Sequence, residues 1–237
     1  MIISHKHKFI FIKTAKTAGT SIEVFLSPHC GADDVLTPIE PPIEGHVPRN
    51  YAGIFNPLPE IMTGANRPRA AWRDLVRRNK FFNHMPGLLV QQRVPREVWD
   101  GYFKFAVERN PWEKVLSHYH MNAHRAGGSL SLEQYFEAGK FPLNFPRYTD
   151  RSGRTIILDR VLHYENLTGE LAEVFAQLQI PFAGSLGVQA KSEYRADRTP
   201  YQLIFNEEQR RTIERVFARE IELHGYRFAA EPAVASP

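Results

Sequence analysis

The sequence predicts an α/β fold in which helices flank a central, mostly parallel sheet. Two apolar runs of strand length, at residues 9–12 and 102–107, alternate with segments in which apolar residues recur at helical spacing. A continuous apolar run is typical of a strand that is buried on both faces, and such strands occur mainly in parallel sheets. Strands that alternate with helices favour a three-layer domain around one core.

The remaining elements are predicted from the same patterns. A helix begins close to Ile22, directly after the first strand. Pro111 suits the first turn of a later helix, and Gly225 is placed to cap the last one. We expect residues 1–237 to form a single domain. Further helices are predicted at 69–80, 87–99, 112–121, 132–138, 167–178 and 207–224, and further strands at 155–158 and 160–164.

Residues 27–68 interrupt the alternation of strands and helices. They contain many prolines and few periodic apolar residues, so no regular core element is expected there. A loop region of this length in a compact domain is usually functional. We therefore expect it to lie over the active site as a substrate-binding surface, with a structural wrap or a partner-binding surface as the alternative.

Composition narrows the class of protein. Hydrophobic residues make up 43% of the chain, yet no run of eighteen apolar residues and no signal-peptide pattern occurs. Cys30 is the only cysteine, which excludes an internal disulfide. We expect a cytoplasmic protein without integral membrane association.

The charge distribution favours a small anionic ligand over a nucleic acid. The net charge is +4 and the isoelectric point is about 9.2, and basic residues are spread through mixed stretches rather than gathered in one tail. A nucleic-acid partner would be expected to require a concentrated basic patch. We expect none.

Residues 9–21, FIFIKTAKTAGTS, run an apolar strand into a turn of small and hydroxyl residues that opens a helix. Such a turn leaves backbone N–H groups available to an anion at the positive end of the helix dipole. It is not a Walker A loop, because Lys16 precedes Gly19 instead of following a glycine. The alternative is an ordinary strand-to-helix turn with Thr or Ser as the N-cap.

A second segment, FKFAVERNPWEKVLSHYH at 103–120, repeats the order of strand, basic turn and helix. Arg109 follows the strand, and Ser117 lies eight residues further along. Ligands of parallel α/β sheets bind beyond the carboxyl ends of the strands. Arg109 and Lys16 are therefore candidates for one shared anion site.

The segments KTAGTS (16–21) and RNPWEKVLSHY (109–119) resemble the two cofactor motifs of sulfotransferases that use 3′-phosphoadenosine 5′-phosphosulfate (PAPS). The match is closest to the carbohydrate-type branch of bacterial and Golgi enzymes. HYENL (163–167), KSEYR (191–195) and HGYRF (224–228) resemble later segments of that family in the same order. The resemblance implies a P-loop-like fold and an enzyme that makes 3′,5′-adenosine bisphosphate as its product.

The resemblance also implies roles for individual residues. Arg109 and Ser117 would hold the 3′-phosphate, and a basic loop that contains Lys191 and Arg195 would close over it, unless that loop is merely a solvated one. The acceptor would be a hydroxyl of a carbohydrate or small metabolite. The residues that would cradle the 5′-phosphosulfate are Lys16, Thr17, Ala18, Gly19, Thr20 and Ser21.

Two residues are candidates for the chemistry of sulfuryl transfer. Lys16 would neutralise charge on the bridging oxygen, so that no metal is expected. His84, in FFNHMPG, would be the general base, since relatives often place a catalytic histidine there. A histidine at the surface or near an N-cap is the alternative interpretation. Glu44, His46 and Glu108 are the other candidate bases.

Other functions are weighed against this one. Three histidines at 118, 120 and 124 suggest a metal site, but they do not share one helix face and lack an H-E-x-x-H carboxylate. A P-loop kinase-like phosphotransferase is the second possibility, and it is disfavoured because the chain lacks the Walker lysine of such enzymes. A non-catalytic nucleotide-binding or glycan-binding module is the third possibility. The acceptor and the oligomeric state are left open by the sequence.

Overall fold

The computed structural model describes residues 1–187 and 199–228. The strands in that part of the chain are β1 Ile2–Ser4, β2 Phe9–Phe11, β3 Val35–Leu36, β4 Phe103–Glu108 and β5 Arg160–His163. The helices are α1 Gly19–Leu26, α2 Leu58–Met62, α3 Pro68–Val76, α4 Gly87–Arg93, α5 Arg96–Gly101, α6 Pro111–Arg125, α7 Leu132–Ala138, α8 Phe145–Tyr148, α9 Leu167–Gln177, α10 Tyr201–Ile204, α11 Glu207–Val216 and α12 Ala218–His224. None of these helices has the length and apolar character needed to cross a membrane.

The described strands form one sheet in the order β3-β1-β2-β4-β5. β4 pairs in parallel with β2 and with β5, with Phe105 opposite both Phe11 and Arg160. β1 is antiparallel to both of its neighbours. Within this sheet β1 alone therefore runs against the common direction, which confirms a mostly parallel sheet. β1 is not predictable from the sequence because its apolar run, at 1–3, is too short to show a period.

The described residues divide into two compact units. The first contains residues 1–108 and 144–187, with the sheet at its centre. Its core is made by apolar side chains of the strands, of α1 and of α9, including the fully buried Phe9, Phe105 and Phe175. Apolar runs in the strands thus bury both faces of the sheet, as a parallel arrangement requires. The prediction of a single domain over 1–237 stays a prediction.

The second unit contains residues 109–143 and 199–228, and its regular structure is helical. Its core packs α6 against α7, α10 and α11 through aromatic side chains, among them Trp112, Tyr135 and Phe217. Lys114 of α6 is fully buried and makes an ion pair with Glu220 of α12. Because a buried charge is costly without a partner, this pair specifies how the two helices meet.

Most predicted elements are confirmed, with differences that have local causes. The helix predicted at 87–99 is two helices, because Val94 precedes Pro95 and adopts an extended conformation. The strand predicted at 155–158 is not formed; Ile156 makes only an isolated bridge with Thr149. Asp150 instead accepts hydrogen bonds from the backbone between them and folds the segment into a turn. The closing helix is interrupted at Phe217 and forms two helices.

The expectation that residues 27–68 hold no core element is wrong. Val35 and Leu36 form β3, pair with β1 and are buried. Arg49 then donates to the carbonyl oxygens of Gly31 and Cys30, at 3.0 and 3.1 Å. A two-residue strand is invisible to periodicity, so only its pairing with β1 reveals it.

The later part of the same region is tied down by a buried ion pair. Arg93 of α4 donates to both carboxylate oxygens of Glu60, at 2.7 and 3.0 Å, and all of these side chains are inaccessible to solvent. The Arg93 guanidinium also lies 3.9 Å from the ring centre of Phe55. These contacts support the alternative of a structural wrap. A position over the active site stays a prediction.

Candidate anion-binding site

The loop between β2 and α1 has a backbone shaped to surround an anion. Lys16 and Ala18 adopt left-handed conformations with φ of 63° and 58°, whereas Thr17 between them has a negative φ. Alternation of this kind turns successive N–H groups towards one concave side, as in the anion-binding nests of other proteins. Left-handed backbone costs about 1 kcal/mol or more in a residue with a β-carbon. The loop therefore holds a conformation that local preference does not explain.

Four N–H groups of this loop have no hydrogen-bond acceptor within the described part of the chain. They belong to Thr17, Ala18, Gly19 and Thr20, and the first helical bond is donated by Ile22 to Ala18, at 3.1 Å. Thr17 is fully buried and Thr20 is only 9% exposed. Buried backbone amides normally have a partner. An anion at the N-terminus of α1 would supply one.

The interpretation of the loop as an ordinary capped turn is wrong. Ala18, and not a threonine or serine, occupies the N-cap position of α1, and no side chain caps the helix. The hydroxyl of Thr14 instead donates to the carbonyl oxygen of Val107 in β4 and lies 2.7 Å from the hydroxyl oxygen of Thr17. The hydroxyl groups thus tie the loop to the sheet and leave the helix end open.

Lys13 and Gly19 shape the floor of the loop. The Lys13 amine donates to Glu23 of α1, at 2.6 Å, and both side chains are buried. Burial alone would raise the pKa of Glu23, but the amino group of Met1 and Lys13 hold it below its usual value. A β-carbon on Gly19 would lie 2.8 Å from Cγ of Lys13. Lys13 therefore has a structural role, in a buried ion pair with Glu23. Lys16 is the lysine that lies in the loop itself.

His84 is held against the start of the loop. Its Nδ1 lies 3.2 Å from the carbonyl oxygen of Lys13; with Nδ1–H as the donor, Nε2 keeps its lone pair. Among the described residues Nε2 has no hydrogen-bond partner. Burial, followed by the charges of Lys13 and Arg147, lowers the pKa of His84 to about 3. The imidazole is therefore neutral at physiological pH, the protonation state that a general base needs.

Arg109 and Ser117 belong to the helical unit. The Arg109 side chain is 14% exposed and donates to Glu113, at 3.1 Å. Asn110 caps α6, because its side-chain oxygen accepts from the N–H groups of Trp112 and Glu113. Ser117 is partly buried on α6. The ion pair with Glu113 orients the guanidinium but also supplies an anion with which a phosphate would have to compete.

Of the remaining candidate residues, some lie outside the described part of the chain and others contact neighbouring groups within it. Arg195 and Lys191 lie outside the described residues. Glu44 is exposed, and the ring of the buried His46 lies 2.9 Å from the carbonyl oxygen of Thr37. His118 is 2.8 Å from the hydroxyl of Tyr135. No group of three or more metal-ligating side chains occurs in the ranges that the structure describes.

Glu108 was named above as a candidate base, and that role stays a prediction. It is fully buried and accepts hydrogen bonds from Asn144, at 3.2 Å, and from the hydroxyl of Tyr148, at 2.8 Å. Asn144 in turn binds the backbone of Ala15. Sequence reasoning missed Asn144 because nothing in the short segment FPLNFPRY indicates a contact with a residue 129 positions away.

The comparisons with known proteins identify one relative by sequence. No family model matches the chain. The crystal structure of a sulfotransferase from Alicyclobacillus acidocaldarius is similar over 93% of this chain and 96% of its own, with 19% sequence identity and a TM-score of 0.39. An uncharacterized protein from Archaeoglobus fulgidus is 35% identical over 101 residues, which are 41% of this chain and 84% of the archaeal protein. The chain belongs to the same family as that archaeal protein.

Proposed function

We propose that the protein is a PAPS-dependent sulfotransferase that modifies a hydroxyl group of a carbohydrate or small metabolite. One observation carries the proposal: the amides of Thr17 to Thr20 have no acceptor among the described residues and surround the N-terminus of α1 beside Lys16. This arrangement is suited to a phosphate or sulfate group. The resemblance of residues 16–21 and 109–119 to the sulfotransferase motifs narrows the anion to PAPS.

Each part of the loop has a proposed role in binding. The amides at 17–20 hold the 5′-phosphate, and Lys16 contacts the oxygen that bridges phosphorus and sulfur. Charge on that oxygen increases as its bond to sulfur breaks, and a fixed cation stabilises such charge without a metal. Arg109, Ser117 and Arg195 are proposed to hold the 3′-phosphate.

His84 is the proposed general base. When bound, PAPS supplies the sulfuryl group, and 3′,5′-adenosine bisphosphate is released. Nε2 of His84 takes the proton of the acceptor hydroxyl as its oxygen bonds to sulfur. The low pKa of His84 is caused by burial and by nearby cations. A bound anion beside Lys13 and Arg147 would offset those charges and increase the proton affinity of His84.

Thermal-shift titration tests the binding part of this proposal. We expect 3′,5′-adenosine bisphosphate to stabilise the protein, by about 2.7 kcal/mol at a hundredfold excess over Kd. Adenosine 5′-phosphate and adenosine 3′-phosphate should each stabilise it less, since each offers one of two anions. Stabilisation by ATP with Mg²⁺ and not by the bisphosphate would contradict the proposal and favour a kinase-like phosphotransferase.

Two variants assign the two phosphates. Arg109→Ala should reduce the affinity for the bisphosphate by about tenfold to a hundredfold, the loss expected for a charge-assisted hydrogen bond, and leave the affinity for adenosine 5′-phosphate unchanged. Lys16→Ala should weaken both ligands. Lys140→Ala, which alters an exposed lysine, is the control and should weaken neither. Equal losses for both ligands in Arg109→Ala would remove Arg109 from the 3′-phosphate site.

Transfer of label from PAPS to a panel of hydroxyl acceptors tests the reaction. Activity should persist after exhaustive chelation of metals and should be lost in Lys16→Ala. Binding of the bisphosphate without transfer to any acceptor would favour a non-catalytic nucleotide-binding module. Loss of transfer on chelation would contradict the metal-independent mechanism.

A further inference from the structure

The start of the anion-binding loop is clamped by a buried side-chain amide. Oδ1 of Asn144 accepts from the N–H of Ala15, at 2.8 Å, and its Nδ2 donates to the carbonyl oxygen of the same residue, at 3.0 Å. Asn144 is fully buried. One side chain thus satisfies both polar backbone groups of Ala15, the residue immediately before Lys16.

Glu108 determines which way this amide faces. Nδ2 of Asn144 also donates to Oε1 of Glu108, at 3.2 Å, and the hydroxyl of Tyr148 donates to Oε2, at 2.8 Å. Rotating the amide by 180° would place its oxygen against a carboxylate and a carbonyl group, both of which are acceptors. All three side chains are fully buried. Only one orientation of the amide is therefore compatible with its neighbours.

An external clamp is useful because the backbone amides of the loop do not hold its shape. Its amides at 17–20 make no hydrogen bond within the described residues, and two of its residues have left-handed backbone. A site whose donors are positioned before the ligand arrives avoids the cost of ordering them on binding. The contacts of Asn144 and Thr14 hold the residues that enter the loop and leave the amides available.

We propose that Asn144, oriented by Glu108, is a positioning residue that sets the conformation of residues 15–20 for anion binding. The proposal depends on the proposed function only for the identity of the anion. It makes two predictions for a variant without the clamp. Ala15 should lose the protection of its N–H, and the affinity of the loop for phosphate groups should decrease.

Asn144→Ala is the direct test, with amide hydrogen exchange of the peptide around Ala15 and the Kd for inorganic pyrophosphate as measurements. We expect exchange at Ala15 to be at least tenfold faster and the Kd to increase about a hundredfold, because a displacement near 1 Å has effects of that size. Asn66→Ala is the matched control: Asn66 donates to the buried Glu60 and accepts from a backbone N–H, at 3.1 and 2.8 Å. It should change neither measurement.

A pair of further variants separates positioning from folding. Glu108→Gln keeps an acceptor for Asn144, and its amide can donate to the Tyr148 hydroxyl, so pyrophosphate should bind within about threefold of the wild-type affinity. The double variant Asn144→Asp with Glu108→Gln keeps one buried carboxylate and the same shape, but it places an acceptor against the Ala15 carbonyl group. It should lose affinity as Asn144→Ala does, even if Asn144→Ala does not fold.

Two results would overturn the positioning role of Asn144, and a third would separate it from the proposed function. Wild-type exchange at Ala15 and wild-type affinity for pyrophosphate in folded Asn144→Ala or in the double variant would overturn the proposal. A similar loss in Asn66→Ala would show a general effect of stability and would also overturn it. If pyrophosphate binds but 3′,5′-adenosine bisphosphate has no greater affinity, the proposed function fails while the clamp is still tested.

Discussion

Three residues around the loop combine a β-carbon with left-handed backbone. Lys16, Ala18 and His84 have φ between 58° and 63°. Each such residue costs about 1 kcal/mol or more, and such strain is characteristic of functional sites. Lys16 and Ala18 shape the amides of the loop, and the His84 backbone turns its ring to the carbonyl oxygen of Lys13. At the residue scale, the site is therefore a local exception to ordinary backbone preference.

The substitution His84→Asn tests the histidine with little change to the backbone. Asparagine tolerates positive φ better than most residues that have a β-carbon, and its amide can donate to the Lys13 carbonyl group. Sulfuryl transfer should be lost and bisphosphate binding kept, as measured with labelled PAPS and by thermal shift. Full transfer activity in this variant would remove His84 from the proposed mechanism.

The low pKa of His84 also has a consequence for stability. In the unfolded chain the imidazole titrates near pH 6.5, whereas in the folded protein its pKa is about 3. Unfolding therefore takes up a proton between these values, and the contribution of His84 to stability is complete above about pH 6.5 and decreases as the pH falls towards 3. Urea denaturation should show the wild type losing stability relative to His84→Asn between pH 7 and pH 4. A pH-independent difference would contradict this assignment.

Gly19 is required by the lysine beneath it. Its added β-carbon would lie 2.8 Å from Cγ of Lys13, whose amine is fixed by Glu23 and cannot move aside easily. Gly19→Ala should cost about 1–3 kcal/mol of unfolding free energy, measured with urea, and should weaken bisphosphate binding. Gly101→Ala is the control, since no atom lies within 4 Å of the position of its β-carbon, and it should not destabilise the protein. Equal effects would contradict the steric argument.

Helix α1 connects the hydrophobic core to the loop at 16–21. Its apolar residues Ile22 and Leu26 are fully buried in the sheet-containing core, while its first turn makes no side-chain cap. Burial of one face keeps the helix in place, so its N-terminus need not be stabilised by a cap of its own. The open helix end is available to a ligand because the stability of α1 comes from elsewhere.

The later part of the region at 27–68 is held in place by Arg93 of α4. Replacing Arg93 by methionine would leave the buried carboxylate of Glu60 without its guanidinium, and Asp74 would keep only its ion pair with Arg73 among the described residues. Because an uncompensated buried charge is costly, Arg93→Met should lower the unfolding free energy by about 3–5 kcal/mol in urea denaturation.

Arg96→Met is the matched control for that experiment. Arg96 pairs with Asp100 on the surface of α5, and its side chain is 93% exposed. Exposed pairs of this kind contribute little, so the unfolding transition should not move. Similar shifts for the two variants would mean that burial of the Arg93 pair has no special weight.

The sheet brings the loop at 16–21 and the buried side chains that hold it to one edge. β2 and β4 run in parallel, so their carboxyl ends leave the sheet on the same side. The loop after β2 and Glu108 at the end of β4 therefore meet, with Asn144 between them. The strand order therefore explains why residues that are far apart in sequence contact the same loop.

The alternation of strands and helices and the loop at 16–21 are predictable from the amino-acid sequence, which also makes Lys16 a candidate site residue. These features depend on periodicity and on small residues next to one another, and local chemistry is readable without a fold. It also indicated His84, from a resemblance. The sequence did not reveal β1 and β3, since the apolar runs at 1–3 and 35–36 are shorter than the four residues of the run at 9–12.

The contacts that hold the loop arise from the tertiary structure. Asn144 meets Ala15 across 129 positions, His84 meets Lys13 across 71, and Arg93 meets Glu60 across 33. No local pattern predicts a hydrogen bond between segments that are joined solely by the sheet and its core. The loop at 16–21 is therefore visible in the sequence, whereas the buried side chains that contact Ala15 are brought to it by the fold.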